Sequence, residues 1–214
     1  MRTSDLVAST VPAIRPLLAG IAGCLVCGCG DAPERAATRA VVRAVERLGG
    51  KVVIAAAAAP GDRPGAVRRI DLAHTAVTDA DLTGLAALAA AAGGPLDAVE
   101  ELDLTHTAVG DRGVAAVAAL PAIRKLSLTL TRVGDAGLGP LARLERLTEL
   151  YLAETSLTDE AVAALERLAG LRVLVLLRTG VSDAGVARLR RALPEATIQV
   201  EPAAARRRQR SPTP

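Results

Sequence analysis

Two consecutive blocks of sequence decide the fold: RKLSLTLTRVGDAGLGPLARLERL at residues 124–147, and TELYLAETSLTDEAVAALERLAGL at residues 148–171. Aligned letter for letter, they place leucine, threonine and aspartate at the same positions, 24 residues apart. The same period runs through one central apolar column, formed by Leu102, Leu126, Leu150, Leu174 and Ile198. Ile70 stands 32 residues before Leu102, so the first unit is eight residues longer. Self-similarity at a fixed period of this size predicts a stacked repeat architecture.

Each unit has the pattern of a short strand, a turn and a helix. Alternation such as Leu126-Ser127-Leu128 directs two apolar side chains inward and the middle one outward. The spacing of Leu138, Leu141 and Leu144 places three apolar residues on one helical face. An aspartate stands just before this face, and we expect its carboxylate to cap the helix. These aspartates are Asp79, Asp111, Asp135, Asp159 and Asp183. One unit cannot bury its apolar side alone, whereas stacked units bury a continuous core.

The pattern resembles the leucine-rich repeat over about residues 67–200, and its T-x-V-[TGS]-D form resembles a bacterial subgroup. The resemblance implies an α/β solenoid of five units plus a terminal strand, a short horseshoe with parallel strands on the concave face and helices on the convex face. Threonine replaces the usual Asn or Cys, whose side chain bonds the backbone at the turn; a hydroxyl can also serve. The column contains Thr75, Thr107, Thr131, Thr155 and Thr179. Members of this family bind many unrelated partners, so no particular ligand is implied.

The two ends of the solenoid need caps. We expect residues 30–66 to form a tether and N-terminal cap, with a helix at about 36–48 and a strand at about 51–54. The apolar spacing within AATRAVVRAVERL favours an amphipathic helix, and Gly49-Gly50 ends it. Residues 201–214 have no apolar periodicity, and we expect a disordered basic tail there.

Composition narrows the kind of core and partner. The chain has 214 residues with no Phe, no Trp and one Tyr, so Leu, Val, Ile and Ala must build the core. The formal net charge is +3, and much of the excess lies in Arg206, Arg207, Arg208 and Arg210. Such a run can contact anionic lipid or nucleic acid, although a solvated tail is the ordinary outcome. We expect no nucleic-acid partner, because no aromatic residues for base stacking accompany the arginine run and the chain has the pattern of an exported protein.

Residues 1–29 have the pattern of an export signal. The apolar run LLAGIAGCLVCG at residues 17–28 is too short for an ordinary membrane-spanning helix. The region resembles a bacterial lipoprotein signal, which implies lipidation of Cys29, or of Cys24, and a membrane-anchored protein of the cell envelope. A plain cleaved signal, an uncleaved anchor, and a metal-thiolate cluster of Cys24, Cys27 and Cys29 remain alternatives.

The outward strand residues predict where a partner binds. Val173, Val175 and Leu177 all face outward in the fifth unit, beside the single Tyr151. An apolar cluster on a polar face often marks a contact site. We therefore predict a protein-binding or self-association surface formed by Lys125, Glu149, Tyr151, Val173, Val175 and Leu177. The alternatives are that the C-terminal tail folds over this cluster, or that an exposed apolar cluster is simply tolerated here.

No catalytic constellation is recognisable, and we expect a non-enzymatic protein with no cofactor, catalytic residue or metal site. His74 and His106 share one column in adjacent units, near Asp71 and Asp103. A metal site there is the minor alternative to two exposed turn residues. The main hypothesis is an envelope-anchored protein-binding module. A self-associating structural component and, if the N-terminus is not processed, an intracellular adaptor are the other hypotheses.

Overall fold

The computed structural model describes residues 33–54, 66–91 and 96–201. The predicted export signal, with Cys24 and Cys29, and the basic segment at residues 202–214 lie outside these ranges. Within them, no helix has both the length and the apolar character needed to cross a membrane.

Seven strands form one sheet in chain order. They are β1 (Lys51–Ile54), β2 (Val67–Asp71), β3 (Glu101–Asp103), β4 (Lys125–Ser127), β5 (Glu149–Tyr151), β6 (Val173–Val175) and β7 (Thr197–Gln199). Strands β2 to β7 are parallel, and their register aligns the whole central apolar column from Ile70 to Ile198. The predicted parallel ladder is confirmed. β1 runs antiparallel to β2 and extends the sheet by one strand.

The helical side is less regular than the sequence predicts. It contains α1 (Pro33–Arg47), α2 (Asp79–Ala91), α3 (Asp111–Val117), a 3₁₀ helix (Asp135–Arg143), a 3₁₀ turn (Asp159–Ala161) leading into α4 (Val162–Leu165), and α5 (Asp183–Ala192). The expectation of an ordinary α-helix is wrong for the third unit. Pro140 lies inside that segment and has no N–H for an α-helical bond. The tighter winding shows in the bond from Leu144 N–H to the Leu141 carbonyl, at 2.9 Å.

The core is a continuous stack of aliphatic side chains between the sheet and the helices. Leu104, Leu128 and Leu152, one from each successive layer, have no exposed surface. At the N-terminal end, α1 buries Val41 and Val45 against this stack. The helix begins at Pro33, whereas the sequence pattern places its start near residue 36.

The threonine column bonds the backbone as expected. Each hydroxyl donates to the carbonyl three residues earlier, for example from Thr131 Oγ1 to Leu128 O at 2.7 Å. The same bond recurs at Thr75, Thr107, Thr155 and Thr179. The residue before each threonine has a positive φ, between 53 and 59°, which the sequence analysis does not foresee. These residues are His74, His106, Leu130, Glu154 and Arg178. The bond and the left-handed residue together turn the chain out of each strand.

The aspartate column does not cap its own helix, so that prediction is wrong. Asp111 is already inside α3, whose N-cap is Gly110. The Asp111 carboxylate instead accepts the Gly134 N–H of the next layer, at 2.8 Å. Equivalent bonds of 2.7 to 2.8 Å join Asp79 to Gly110, Asp135 to Thr158 and Asp159 to Ser182. Each carboxylate thus satisfies a free N–H at the start of the next helical segment and links two layers.

This link explains a column of small residues that follows the aspartates. A Cβ atom on Gly137 would lie 2.5 Å from Asp111 Oδ1, and one on Gly185 would lie 2.5 Å from Asp159 Oδ1. In the fourth unit the column carries Ala161, and there the preceding carboxylate also accepts the Thr158 hydroxyl, at 2.7 Å. The small residue leaves room for the carboxylate of the layer before it.

We predict that Gly137→Ala lowers the free energy of unfolding by about 1–3 kcal/mol, because the new methyl displaces Asp111 and leaves the Gly134 N–H unpaired. Gly139→Ala is the matched control in the same 3₁₀ helix, since a Cβ there meets nothing within 4 Å. It should leave stability unchanged or raise it by up to ~1 kcal/mol. Urea unfolding followed by circular dichroism measures both. Equal effects of the two substitutions would contradict the inter-layer link.

Candidate functional site

The concave face is the side of the sheet away from the helices, formed by the two residues that flank the buried centre of each strand. The first column contains Arg69, Glu101, Lys125, Glu149, Val173 and Thr197, and the second contains Asp71, Asp103, Ser127, Tyr151, Val175 and Gln199. β1 adds Lys51 opposite Asp71 and Val53 opposite Arg69. The sequence pattern predicts β1 only as part of the cap, so the contribution of this strand to the concave face is not predicted.

Opposite charges alternate along the first column. Arg69 Nη1 lies 3.3 Å from Glu101 Oε2, and Lys125 Nζ lies 3.2 Å from Glu149 Oε2. All four side chains are about half exposed, so each pair stabilises the fold by less than ~1 kcal/mol. Their main effect is to fix the positions of these side chains relative to the neighbouring strand. Because each pair contains one positive and one negative charge, the column remains nearly neutral.

Tyr151 lies in the centre of the concave face and is held by two neighbours. Its hydroxyl donates to Glu149 Oε2 at 2.9 Å, and Lys125 Nζ lies 5.5 Å from the ring centroid, within range of a cation–π contact. We call Lys125, Glu149 and Tyr151 the Tyr151 cluster. The structure thus brings together three of the six residues predicted to bind a partner.

The Tyr151 cluster shifts the pKa of two of its members. Burial, and then the hydrogen bond to Glu149, raise the pKa of Tyr151, while the charge of Lys125 opposes this. The hydrogen bond with Glu149 raises the pKa of Lys125. At neutral pH the cluster therefore contains a neutral phenol, which can donate a hydrogen bond, and a charged ammonium.

The apolar part of the predicted surface is smaller than expected. Val175 is only 6% exposed, so the expectation that it is accessible is wrong. It lies between Tyr151 and Gln199 in the register, and such cross-strand neighbours on one face pack against each other. Val173 and Leu177 retain partial exposure. The accessible apolar area therefore consists of these two side chains beside the Tyr151 ring.

Two carboxylates lie next to each other in the second column. Asp71 and Asp103 are register partners on β2 and β3. Each uses Oδ1 to accept a nearby backbone N–H, from Ala73 at 3.1 Å and from Thr105 at 2.9 Å. Within the described ranges neither carboxylate forms an ion pair. They give the N-terminal half of the concave face its excess negative charge.

His74 and His106 are exposed turn residues, as the sequence analysis favours. Their ring centroids are 5.1 Å apart, with the rings tilted by 39°. Among the described residues, no group of three or more His, Cys, Asp or Glu side chains is arranged to hold a metal ion. Asp71 and Asp103 thus do not complete a metal site with this pair.

Comparison with protein families identifies one layer of the stack. The family model described as Leucine Rich repeat matches residues 99–118, which include β3 and α3. The chain contains a leucine-rich repeat. Its neighbouring layers repeat the same strand register and the same threonine and aspartate bonds. The comparison with curated proteins found no match.

Solved structures with similarity to the chain include bacterial leucine-rich-repeat proteins. An internalin from Listeria monocytogenes is 20% identical, with a TM-score of 0.48 over 64% of this chain and 35% of that chain. Internalin C2 from the same species is 22% identical, with a TM-score of 0.37 over 56% and 55%. A Leptospira interrogans leucine-rich-repeat protein is 22% identical, with a TM-score of 0.36 over 49% and 32%. The chain thus spans between a third and about half of the length of these proteins.

The Tyr151 cluster makes a spectroscopic prediction, because the chain has one Tyr and no Trp. Glu149→Gln should lower the pKa of Tyr151, since it removes the anion that favours the neutral phenol. Lys125→Met should raise that pKa further, since it removes the cation that favours the phenolate. Ultraviolet titration at the phenolate absorption band measures both shifts. Shifts of the same sign in the two variants would contradict the arrangement of the cluster.

Proposed function

We propose that this chain is a protein-binding module that contacts its partner through the concave face, around the Tyr151 cluster. Leucine-rich-repeat folds typically serve as protein-binding modules. The observation that carries the proposal is the position of Tyr151. Tyr151, the only Tyr in a chain without Phe or Trp, lies in the middle of the concave face. It is therefore not part of the stacked core, and packing of the core does not explain its presence.

The chemistry of the cluster suits a binding centre. Tyrosine is enriched among the residues that dominate binding energy at protein interfaces. Its ring is already positioned by Glu149 and Lys125, which reduces the entropy lost on binding. Val173 and Leu177 provide apolar contact area beside it. The ion pairs of the first column would set orientation and partner choice more than affinity.

The proposal is of a binding protein without catalytic activity, as leucine-rich-repeat proteins generally are. Four aspartates of the periodic column, Asp79, Asp111, Asp135 and Asp159, form backbone bonds between layers, which gives them a structural role. Among the residues that the structure describes, neither histidine side chain is hydrogen-bonded to a nucleophile. No cofactor is part of the proposal.

We also propose that the protein is exported to the cell envelope and anchored in the membrane through a lipid on Cys29, or on Cys24. The support for this comes from the sequence of residues 1–29. The anchor would present the concave face to other envelope proteins, and nucleic acid is not among the proposed partners.

A self-associating structural component is the second candidate, favoured by the first edge of the sheet. Among the strands that the structure describes, β1 lies at the edge of the sheet, and its Val53 and Ile54 are 54% and 46% exposed. An exposed apolar edge strand is a ready template for pairing with another chain. Antiparallel pairing of two β1 strands would join two copies about a two-fold axis.

The partner contact is testable by photo-cross-linking in the native cell. A photoreactive residue replacing Ser127 on the concave face should yield a specific adduct, whereas one replacing Arg143 on the helical side should not. Tyr151→Ala should remove this adduct, since loss of such an anchor costs about 2 kcal/mol or more. Tyr151→Phe, which keeps the ring, should retain most of it.

Three results would count against the concave binding site: equal adducts from both positions, an adduct insensitive to Tyr151→Ala, or an adduct made only of the chain itself. The last would favour the self-associating alternative. Sedimentation of the purified chain, with and without Ile54→Lys, would then show whether β1 forms the contact.

Export and lipidation are testable by mass spectrometry of the native N-terminus. We expect a mature chain that begins with a diacylated or triacylated Cys29, or Cys24. Cys29→Ser should abolish the lipid mass if Cys29 is the site, with Cys24→Ser as the matched control. An intact Met1, or a plain cleaved end without lipid, would contradict the anchor while leaving the concave binding site untouched.

A further inference from the structure

The chain leaves the described structure at the rim of the concave face. Glu201, the last described residue, is 24 positions after Leu177 and so continues the column of Ala153 and Leu177. Its carboxylate lies 3.6 Å from Arg178 Nε, and its side chain is only 16% exposed. This contact holds the chain at the rim, on the concave side of the last layer, where residues 202–214 begin.

The segment after Glu201 has two chemically distinct parts. Residues 203–205 are three alanines, and the following six residues contain four arginines and no acid. We call residues 202–214 the basic segment. Small apolar residues come first and positive charges follow. A surface that binds this segment must offer complementary groups in the same order.

The concave face has the complementary order, counted from β7 toward β2. Next to β7 lie Val173 and Val175 of β6 and then Tyr151 of β5. Further on are Asp103 and Asp71, the two carboxylates that form no ion pair among the described residues. Along the second column, the two side chains after Gln199 are therefore apolar or aromatic, and the two at its far end are carboxylates.

The distances agree with this order. Adjacent strands lie roughly 4.8 Å apart, so Asp103 and Asp71 lie roughly 19 and 24 Å from β7 across the sheet. An extended chain rises about 3.3 Å per residue, so Arg206 to Arg210 reach about 17 to 30 Å from Glu201. The alanines reach only about 7 to 13 Å, which is the level of β6 and β5.

We propose that the basic segment docks across the concave face of its own chain, with its alanines beside Val173 and Tyr151 and its arginines at Asp103 and Asp71. This does not rest on the proposed function, because it requires no external partner. A tethered segment acts at a millimolar effective concentration, so even weak contacts keep it bound for much of the time. Any partner that binds the same face must displace it.

The fluorescence of Tyr151 can report on this docking, because the chain has one Tyr and no Trp or Phe. Acrylamide, a neutral quencher, measures the accessibility of the ring in the full-length protein. Substitution of Arg206, Arg207, Arg208 and Arg210 by Gln should raise the quenching constant on the order of twofold at low salt, as expected for release of a segment that is bound about half the time. The matched control replaces Arg143, Arg167, Arg190 and Arg191, four exposed arginines on the helical side, by Gln. It changes net charge equally and should leave the constant at the wild-type value.

Two further arms test the acceptor residues and the electrostatics. The double variant Asp71→Asn and Asp103→Asn keeps an oxygen for the local backbone bonds, and it should raise quenching as the basic-segment variant does. A synthetic peptide of residues 202–214 should restore protection to the basic-segment variant and should fail to protect the Asp71/Asp103 variant further. In 1 M salt the wild type should match the basic-segment variant, because screening then acts within about 3 Å.

Equal quenching of the wild type and the basic-segment variant at low salt would overturn the proposal. Protection that grows with protein concentration would also overturn it, because the occupant would then be the basic segment of a second copy. So would protection that appears only on addition of vesicles containing anionic lipid, since the basic segment would then act at a membrane surface.

Discussion

A single 24-residue layer cannot bury its own leucines, and the packing of the whole stack follows from that limit. Leu104, Leu128 and Leu152 have no exposed surface because each is covered by the layers before and after it. Each layer must therefore supply the same volume at the same place, which favours repeated Leu and Val over large aromatic residues. Among the described residues no layer precedes the first one, and α1 covers that end of the stack with Val41 and Val45.

Close stacking also imposes a polar constraint, because the N-cap residue of four helical segments donates its N–H to a carboxylate of the layer before it. Asp111 meets this need for the following layer by accepting the Gly134 N–H. The same carboxylate occupies space that a Cβ on Gly137 would need. One interaction thus explains two columns, and it makes the repeat directional, since each layer depends on a side chain from the layer before.

The stacking of layers also explains which features the sequence predicts and which it does not. Leu126 and Leu150 recur with a strand-like neighbour pattern, so period and alternation suffice to predict a parallel ladder. The position of Asp111 in the sequence does not reveal its role. An Asp at a helix start can cap its own helix, or it can accept a hydrogen bond from the next layer. The recurring glycine two positions later was the available signal, since a helix interior ordinarily favours Ala there. Pro140 was likewise a signal for the 3₁₀ segment.

The burial of Val175 had no signal in the repeat pattern, because it depends on which side chains occupy neighbouring layers.

The concave face is where these constraints are absent, and that is why its residues differ from layer to layer. Arg69, Glu101, Lys125 and Glu149 pair with one another across strands and leave little net field along the first column. Long-range attraction from that column is therefore weak. The selectivity of the proposed binding face would arise from short-range fit around Tyr151 and from Asp71 and Asp103, which form no ion pair among the described residues. If the concave face binds a ligand as proposed, a ligand that contacts only Val173 and Tyr151, or only Asp103 and Asp71, would use part of the surface. The two groups lie within about 25 Å of each other, so an extended segment with apolar and basic parts in the right order could contact both. Such a face would distinguish ligands by the order of their chemistry along the chain more than by their total charge.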